Sequence, residues 1–303
     1  MKFSLHLPVT EINPPGEFQT AAAVQTMAQA LERAGADACW VTDHPAPDVE
    51  WLIPNGHDAV DPFTALAVAA GATTRLKLHT NVLILPYRNP FLTAKAAATL
   101  DVLSGGRLIL GVGGGYQKGE FEALGIDFTK RGALFDEALE TIRLAWSGKT
   151  VVRKGMGFEA KGNLPRPAPS PNLPIWVGGG SPRAVQRAAQ WGDGWCPFHS
   201  AGVARIDATL QKPVSSLGDL REKILKVHEA RAALGRSGPF DICINPLEPL
   251  GGNTKADAER FLEGAASLAE IGVTWIFTGV AHPSVAGFKE NVDWFGEAVI
   301  ARQ

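Results

Sequence analysis

The 303-residue sequence has only three cysteines, Cys39, Cys196 and Cys243. So sparse, odd and widely spaced a set argues against a disulfide framework and against a Cys/His zinc cluster. Each cysteine falls in a short apolar run, where a buried free thiol in a reducing compartment is expected. The chain also lacks a charge bias, with 29 basic against 31 acidic residues and a net charge of −2. It therefore offers no basic face to grip nucleic acid or an anionic membrane. No basic-then-apolar leader opens the chain, and no run approaches the roughly 20 apolar residues that span a bilayer. These absences point to a cytoplasmic protein whose partner is a small molecule.

Chemical signatures are missing as well. There is no HExxH, no paired histidine ligand set and no Cys/His spacing, so no metal is expected. No GxSxG elbow presents a serine nucleophile. The run Gly113-Gly114-Gly115 does not fit the GxGxxG fingerprint that opens a dinucleotide-binding helix.

What is present is a rhythm. Hydrophobic residues make up 45% and charged residues 20% of the chain, ordinary values for a globular protein. Short apolar runs alternate with longer helical patterns. The runs are Lys2–Leu7, Ala38–Thr42, Leu76–Leu85, Arg107–Val112, Pro174–Val177, Gly194–Pro197, Phe240–Asn245 and Val273–Thr278. Near-continuous apolar strands suit a parallel sheet buried on both faces, and eight strand–helix units are the number that closes a barrel. The fold class expected is α/β, a (β/α)8 TIM barrel, with an open doubly wound sheet as the alternative. Residues 1–303 read as a single domain. The proline-rich stretch 148–173 reads as an insertion after strand four, and Phe198–Ser215 as a surface excursion.

In such barrels reactive groups lie just past the C-terminal ends of the strands. Strand two ends at Asp43-His44, where a carboxylate can orient a neighbouring proton-exchanging imidazole. Strand three ends at His79-Thr80-Asn81-Val82, an unusually polar end for an apolar strand. Strand four runs into Gly113-Gly114-Gly115-Tyr116, where glycine permits close approach of a ligand to the backbone. Strand five runs into Gly178-Gly179-Gly180-Ser181 and a helix start, whose amides and serine cap suit a phosphate. Arg183 lies in that helix's first turn. His6 at the end of strand one, His57 in the long loop after strand two, and Trp195 on strand six are candidate substrate contacts.

Several stretches occur together in one order: Trp40–His44, Thr80–Pro86, Leu100–Gly113, Glu120–Gly125, Pro174–Ser181 and Gly192–Trp195. Taken as a set they resemble the luciferase-like monooxygenase superfamily, in particular its deazaflavin (coenzyme F-420)-dependent oxidoreductases. The resemblance covers roughly residues 1–200. It implies a TIM barrel and a non-prolyl cis peptide or bulge at Asn81–Val82, supporting the central ring of a tricyclic cofactor. It implies cofactor contacts at Thr80, Asn81, Val82, Gly114, Gly115, Tyr116 and Gly178, with the phosphate end at Gly179, Gly180 and Ser181. It places His44 beside the reactive ring. One departure is visible: deazaflavin-dependent sugar-phosphate dehydrogenases carry a glutamate where this chain has Tyr116, which argues against a sugar-phosphate substrate.

The expected activity is hydride transfer between coenzyme F-420 and a small organic substrate, with His44, oriented by Asp43, moving the accompanying proton. The loop 45–61 would cover the substrate. The alternatives are an FMN-dependent monooxygenase of alkanesulfonate or aldehyde type, and a cofactor-binding protein without turnover. The resemblance also allows a homodimer.

Overall fold

The computed structural model describes residues 1–10, 16–199 and 213–303, so the excursion expected over Phe198–Ser215 lies almost wholly outside the described residues. Among the described residues eleven strands are found: β1 Lys2–His6, β2 Ala38–Val41, β3 Lys77–Thr80, β4 Leu83–Ile84, β5 Leu108–Gly113, β6 Val151–Gly155, β7 Phe158–Asn163, β8 Ile175–Gly178, β9 Gly194–Cys196, β10 Asp241–Ile244 and β11 Trp275–Thr278. The helices are α1 Ala21–Arg33, α2 Val49–Asn55, α3 Pro62–Ala72, α4 Pro90–Ser104, α5 Lys118–Ala123, α6 Arg131–Ala145, α7 Pro182–Trp191, α8 Leu217–Ala233, α9 Lys255–Glu270 and α10 Val285–Ala298. Many of them start where a polar side chain accepts an otherwise unpaired amide: Thr20, Asp61, Asn89, Ser181, Ser216, Thr254 and Ser284.

The strands pair in parallel in the order β3-β2-β1-β11-β10-β9-β8-β5-β4, and β3 pairs with β5 as well. Because β3 and β4 are successive pieces of one strand, the sheet closes on itself as an eight-stranded parallel barrel with helices around it. The chain is thus a (β/α)8 TIM barrel. The insertion is an antiparallel hairpin, β6–β7, lying in sequence between α6 and β8. No described helix is long and apolar enough to cross a membrane.

Two buried clusters follow from barrel geometry. A large one fills the layer between strands and helices. A small one, Ala38, Ile109, Trp176, Cys196, Cys243 and Trp275, plugs the barrel axis. In that plug the Trp176 and Trp275 rings meet edge-on at 5.2 Å, and His79 meets Trp176 at 4.9 Å. Burial lowers the His79 pKa to about 3, so the ring is neutral, with Nδ1 3.2 Å from Ser4 Oγ. His79, part of the polar strand end noted in the sequence, packs against this plug.

The third strand departs from the continuous run expected over Leu76–Leu85. It breaks between β3 and β4, and the Asn81–Val82 peptide between them is cis. The register against β5 slips by one residue across the break: Leu78 faces Leu108 and His79 faces Ile109 before it, and Leu83 faces Val112 after it. Such a slip is a bulge, which re-aims the side chains beside it. A second departure is α2, a short helix within the segment read as loop.

The Leu100–Gly113 stretch turns out to be a clamp. Asp101 is fully buried and accepts the Ser170 amide at 2.7 Å, tying the end of the insertion to α4. Arg107 donates to the carbonyls of Ala70, Thr73, Leu76 and Ser104 and to Thr73 Oγ1, at 2.7–3.1 Å. One guanidinium thereby satisfies the C-terminal carbonyls of α3 and joins them to the end of α4. Arg107→Ala would strand several of these carbonyls. The expected loss is about 2–4 kcal/mol of unfolding free energy, read by urea denaturation, with Arg107→Lys recovering less than half. An unchanged midpoint in the alanine variant would contradict the clamp.

Candidate functional site

At the C-terminal ends of the strands the barrel opens into a cavity of about 660 Å³. One wall comes from β4, β5 and β8 and presents little side chain: Asn81, Val82, Gly113, Gly114, Gly115, Gly178 and Gly179. Glycine is required at 113, where an added Cβ would sit 2.7 Å from Val82 Cγ2, and suits 115, where φ is +71°. The result is a nearly flat surface of backbone and one valine.

This wall ends at the start of α7. Ser181 caps the helix by accepting the Ala184 amide at 3.2 Å, which leaves its hydroxyl hydrogen able to donate. Arg183 and Arg187 converge near Gly132, and Arg131, whose guanidinium lies over Phe128, also borders the cavity. Arg187 is fixed there by Asp136 and the Gly132 carbonyl. A helix start with added guanidinium groups is a place for an anion.

The facing wall comes from β1, β2 and β11. It holds His6, Thr10, Trp40, Thr42 and Phe277. The His6 and Trp40 rings lie 4.3 Å apart at 31°, close to stacked, and Phe277 meets Trp40 edge-on. Burial, aided by His282 and His57, lowers the His6 pKa to about 3 and keeps it uncharged.

His44 stands between the walls. Its Nδ1 lies 3.2 Å from Glu120 Oε2 and 3.0 Å from Gln117 Nε2, and both His44 and Glu120 are nearly fully buried. Glu120 also accepts the Ala46 amide on Oε1. The Glu120 carboxylate can only accept and the Gln117 amide nitrogen can only donate, so the two contacts ask for opposite tautomers. The charge-assisted contact to Glu120, the stronger of the two, favours Nδ1–H. The opposite nitrogen, Nε2, is then an acceptor, with the Tyr116 hydroxyl 3.5 Å away. Trp51 of α2 packs against the imidazole at 4.6 Å and His57 at 5.0 Å, so the segment 45–61 roofs this group.

Two sequence expectations are corrected here. Asp43 does not orient His44. Its carboxylate, 2% exposed, accepts the Ile84 amide at 2.9 Å and the Arg88 guanidinium at 2.6 Å. Burial pushes that carboxyl above its ordinary value, and Arg88 and the Ile84 amide pull it back. Asp43 thus pins β4 in place. Trp195 does not face the cavity. It is fully buried and donates from Nε1 to the Gly179 carbonyl at 2.8 Å, bracing the corner from behind. Thr80 is likewise buried, donating to the Gly111 carbonyl at 2.7 Å, and Gly180 lies in the loop behind the lining. The structure does bring His6, Asp43, His44, His57, Asn81, Val82, Gly114, Gly115, Tyr116, Gly178, Gly179 and Ser181 to one cavity.

Reasoning from sequence missed Glu120, Gln117, Trp51 and Arg131. Glu120 sits in a short helix whose neighbours Lys118 and Glu122 are exposed and paired. It opens the Glu120–Gly125 stretch that contributes to the resemblance, but it was given no role there.

Comparison with known proteins fits this geometry. The model of the luciferase-like monooxygenase family matches residues 1–272. A phthiodiolone/phenolphthiodiolone dimycocerosates ketoreductase of Mycobacterium kansasii is 32% identical over 278 residues, covering 84% of this chain and 71% of the relative. Among solved structures, a monooxygenase from Streptomyces bottropensis superposes with a TM-score of 0.76 at 21% identity, over 100% of this chain and 99% of its own. A coenzyme F-420-dependent secondary alcohol dehydrogenase, solved with an F-420–acetone adduct, gives 0.76 at 18% identity over 100% and 99%. At those identities the two structures speak to the fold.

The His44–Glu120 contact predicts a spectroscopic signature. Nitrogen-15 NMR of labelled histidine should find neutral His44 protonated on Nδ1. Glu120→Gln should redistribute the proton between the two nitrogens while the fold, read by circular dichroism, is kept. An Nε2–H tautomer in the parent chain would refute the assignment.

Proposed function

The chain belongs to the luciferase-like monooxygenase family, and from that premise we propose that it is an oxidoreductase exchanging a hydride between coenzyme F-420 and a small organic substrate. One observation carries the reading: a flat, side-chain-poor wall of Val82, Gly113 and Gly114 in a cavity that also takes in the capped start of α7 and Arg131, Arg183 and Arg187. A planar ring with an anionic tail matches both ends of that surface. Val82, Asn81 and the glycines at 113–115, 178 and 179 would hold the ring. Ser181 and the first turn of α7 would hold the phosphate.

Bound there, the ring would supply the carbon that gives or takes the hydride. The chain's own part is proton handling and exclusion of water. His44 would hold the accompanying proton on Nε2, with Glu120 fixing the imbalance of charge on the other nitrogen. Trp51 and His57 would cover that proton from solvent.

FMN is the second reading, because the same wall and helix start would serve its ring and single phosphate. The arginines favour F-420. Arg131, Arg183 and Arg187 border the cavity, Arg187 sharing its charge with Asp136, and an acidic tail running past the phosphate would use the remainder.

Titration of the purified protein with F-420 and with FMN, read by ring fluorescence, tests the reading. F-420 is expected to bind more tightly and to be displaced by excess inorganic phosphate. Tighter FMN binding would select the second reading, and binding of neither would overturn both. A second measurement concerns His44. The His44→Ala variant should keep cofactor binding and lose about 100-fold or more in kcat. Full turnover in that variant would remove His44 from the chemistry, and cofactor binding with no turnover on a broad substrate panel would mark a carrier protein instead.

A further inference from the structure

Cys196 and Cys243 come from different strands and meet at the axis of the barrel. β9 and β10 pair in parallel, with Gly194 beside Asp241 and Trp195 beside Ile242. One residue further, that register sets Cys196 beside Cys243. The faces agree: Trp195 and Ile242 belong to the outer layer, the two cysteines to the axial plug. Successive residues of a strand face opposite ways, so both sulfurs turn inward from neighbouring positions. Both thiols are free and buried, and the two side chains interact.

Paired strands lie roughly 4.8 Å apart. A disulfide joins residues whose Cα atoms are about 4.4–6.8 Å apart, so this pair can be bridged with little movement of either strand. Cys39 makes the contrast. It is equally buried, but it lies in the outer layer and is the one cysteine among the described residues there.

The pair is open to the cavity on one side. Cys196 is among the lining residues, so a small molecule can reach its sulfur from the mouth. The same residue supports the flat wall. Its thiol donates to Asn81 Oδ1 at 3.4 Å, and its carbonyl accepts the Gly179 amide at 3.3 Å. Burial and the Cys196 side chain push the Cys243 thiol well above its ordinary value. A thiol held protonated is a poor nucleophile, which leaves the first attack to Cys196.

We propose that Cys196 and Cys243 are an oxidisable dithiol in the cavity floor, closed to a disulfide by hydrogen peroxide, and that closure weakens ligand binding at the Asn81 wall. The Cys196 sulfur attacks one peroxide oxygen and the O–O bond breaks. Cys196 becomes a sulfenic acid, and the other oxygen leaves as water. The Cys243 sulfur then attacks the Cys196 sulfur, the S–OH bond breaks, and a second water leaves. The two thiols give up two electrons and both protons, and the peroxide takes them up as two waters. In the disulfide Cys196 has no hydrogen to offer Asn81 Oδ1, and its sulfur is drawn to about 2.05 Å from that of Cys243. The dithiol stands whatever the wall binds; its effect on F-420 rests on the oxidoreductase reading.

The test treats the full reduced chain with hydrogen peroxide, counts thiols after denaturation and maps the bridge by mass spectrometry. The count should fall from three to one, with Cys196 joined to Cys243, Cys39 free, and dithiothreitol reversing the change. Cys39→Ser should still form the bridge. Cys243→Ser should form none and stop at a sulfenic acid on Cys196, trapped by dimedone. F-420 affinity, read by ring fluorescence, should fall at least about threefold on oxidation, the effect of one weak hydrogen bond, and return on reduction. Three thiols left free, a bridge that includes Cys39, or over-oxidised Cys196 beside a Cys243 thiol would overturn the dithiol. A mapped bridge with unchanged F-420 affinity would overturn its link to the wall. Were neither form to bind F-420 or FMN, the oxidoreductase reading would fall while the mapping still decided the dithiol.

Discussion

The mouth of the barrel depends on one buried carboxylate. Asp43 sits at the end of β2 and reaches across to the far side of the break in the third strand, where it holds the Ile84 amide and Arg88. Without that grip β4 has only two residues of ladder with which to stay on β5. The pairing of a 2%-exposed carboxylate with a guanidinium is costly to form and more costly to break, because removing either partner leaves a buried charge. The geometry of the flat wall therefore follows from a carboxylate whose hydrogen bonds go to the fold, although Asp43 also borders the cavity. Val82 and the glycines of β5 face the cavity because β4 is tied down one residue out of register.

The neighbouring residue does the opposite. Successive side chains at a strand end point to opposite sides, so Asp43 turning toward β4 leaves His44 aimed at the loop and α5. There Glu120 receives it. With His44 neutral, the Glu120 carboxylate accepts an N–H from the ring and another from Ala46. With His44 protonated, the same contact becomes an ion pair. Both protonation states keep Nδ1 and the carboxylate paired, which suits a group that must exchange a proton away from bulk water. Trp51 stacks over the ring and restricts its rotation, so the accessible nitrogen stays Nε2.

The barrel was legible from sequence because its strands are short apolar runs separated by capped helices, and both signals are local. The eight-unit count survived even though the third run is two strands in the structure. A run such as Leu83–Leu85 is apolar on either side of a register slip, so residue type alone carries no mark of it. The expectation of an irregular bond at Asn81–Val82 came from the resemblance instead. The site was legible only where it lies at strand ends, as with His44, Asn81, Gly114 and Ser181. Asp43 was misread because adjacency in sequence was taken for contact in space. Glu120 was missed because its helix, flanked by the exposed pair Lys118 and Glu122, resembles a solvated face. Trp195 lies on a strand whose side chains alternate between plug and outer layer, and period alone did not tell which side it took.

The asymmetry of charge has a consequence for how a long ligand enters. A molecule with a neutral planar head and an anionic tail has two ways to lie across the mouth. With its tail at the Ser181 corner, the charge meets Arg183, Arg187 and the dipole of a ten-residue helix. Reversed, the tail would lie against Trp40, Phe277 and a neutral His6, with no cation among the described residues to replace its water. Charges at close range in a partly dry cleft interact far more strongly than in bulk solvent, so the two orientations differ greatly before the ring makes any contact. On the proposed reading the corner would set the direction, and the flat wall would have only to exclude molecules that are not planar. The remaining space, between Tyr116, His44 and the aromatic wall, is what the head leaves open.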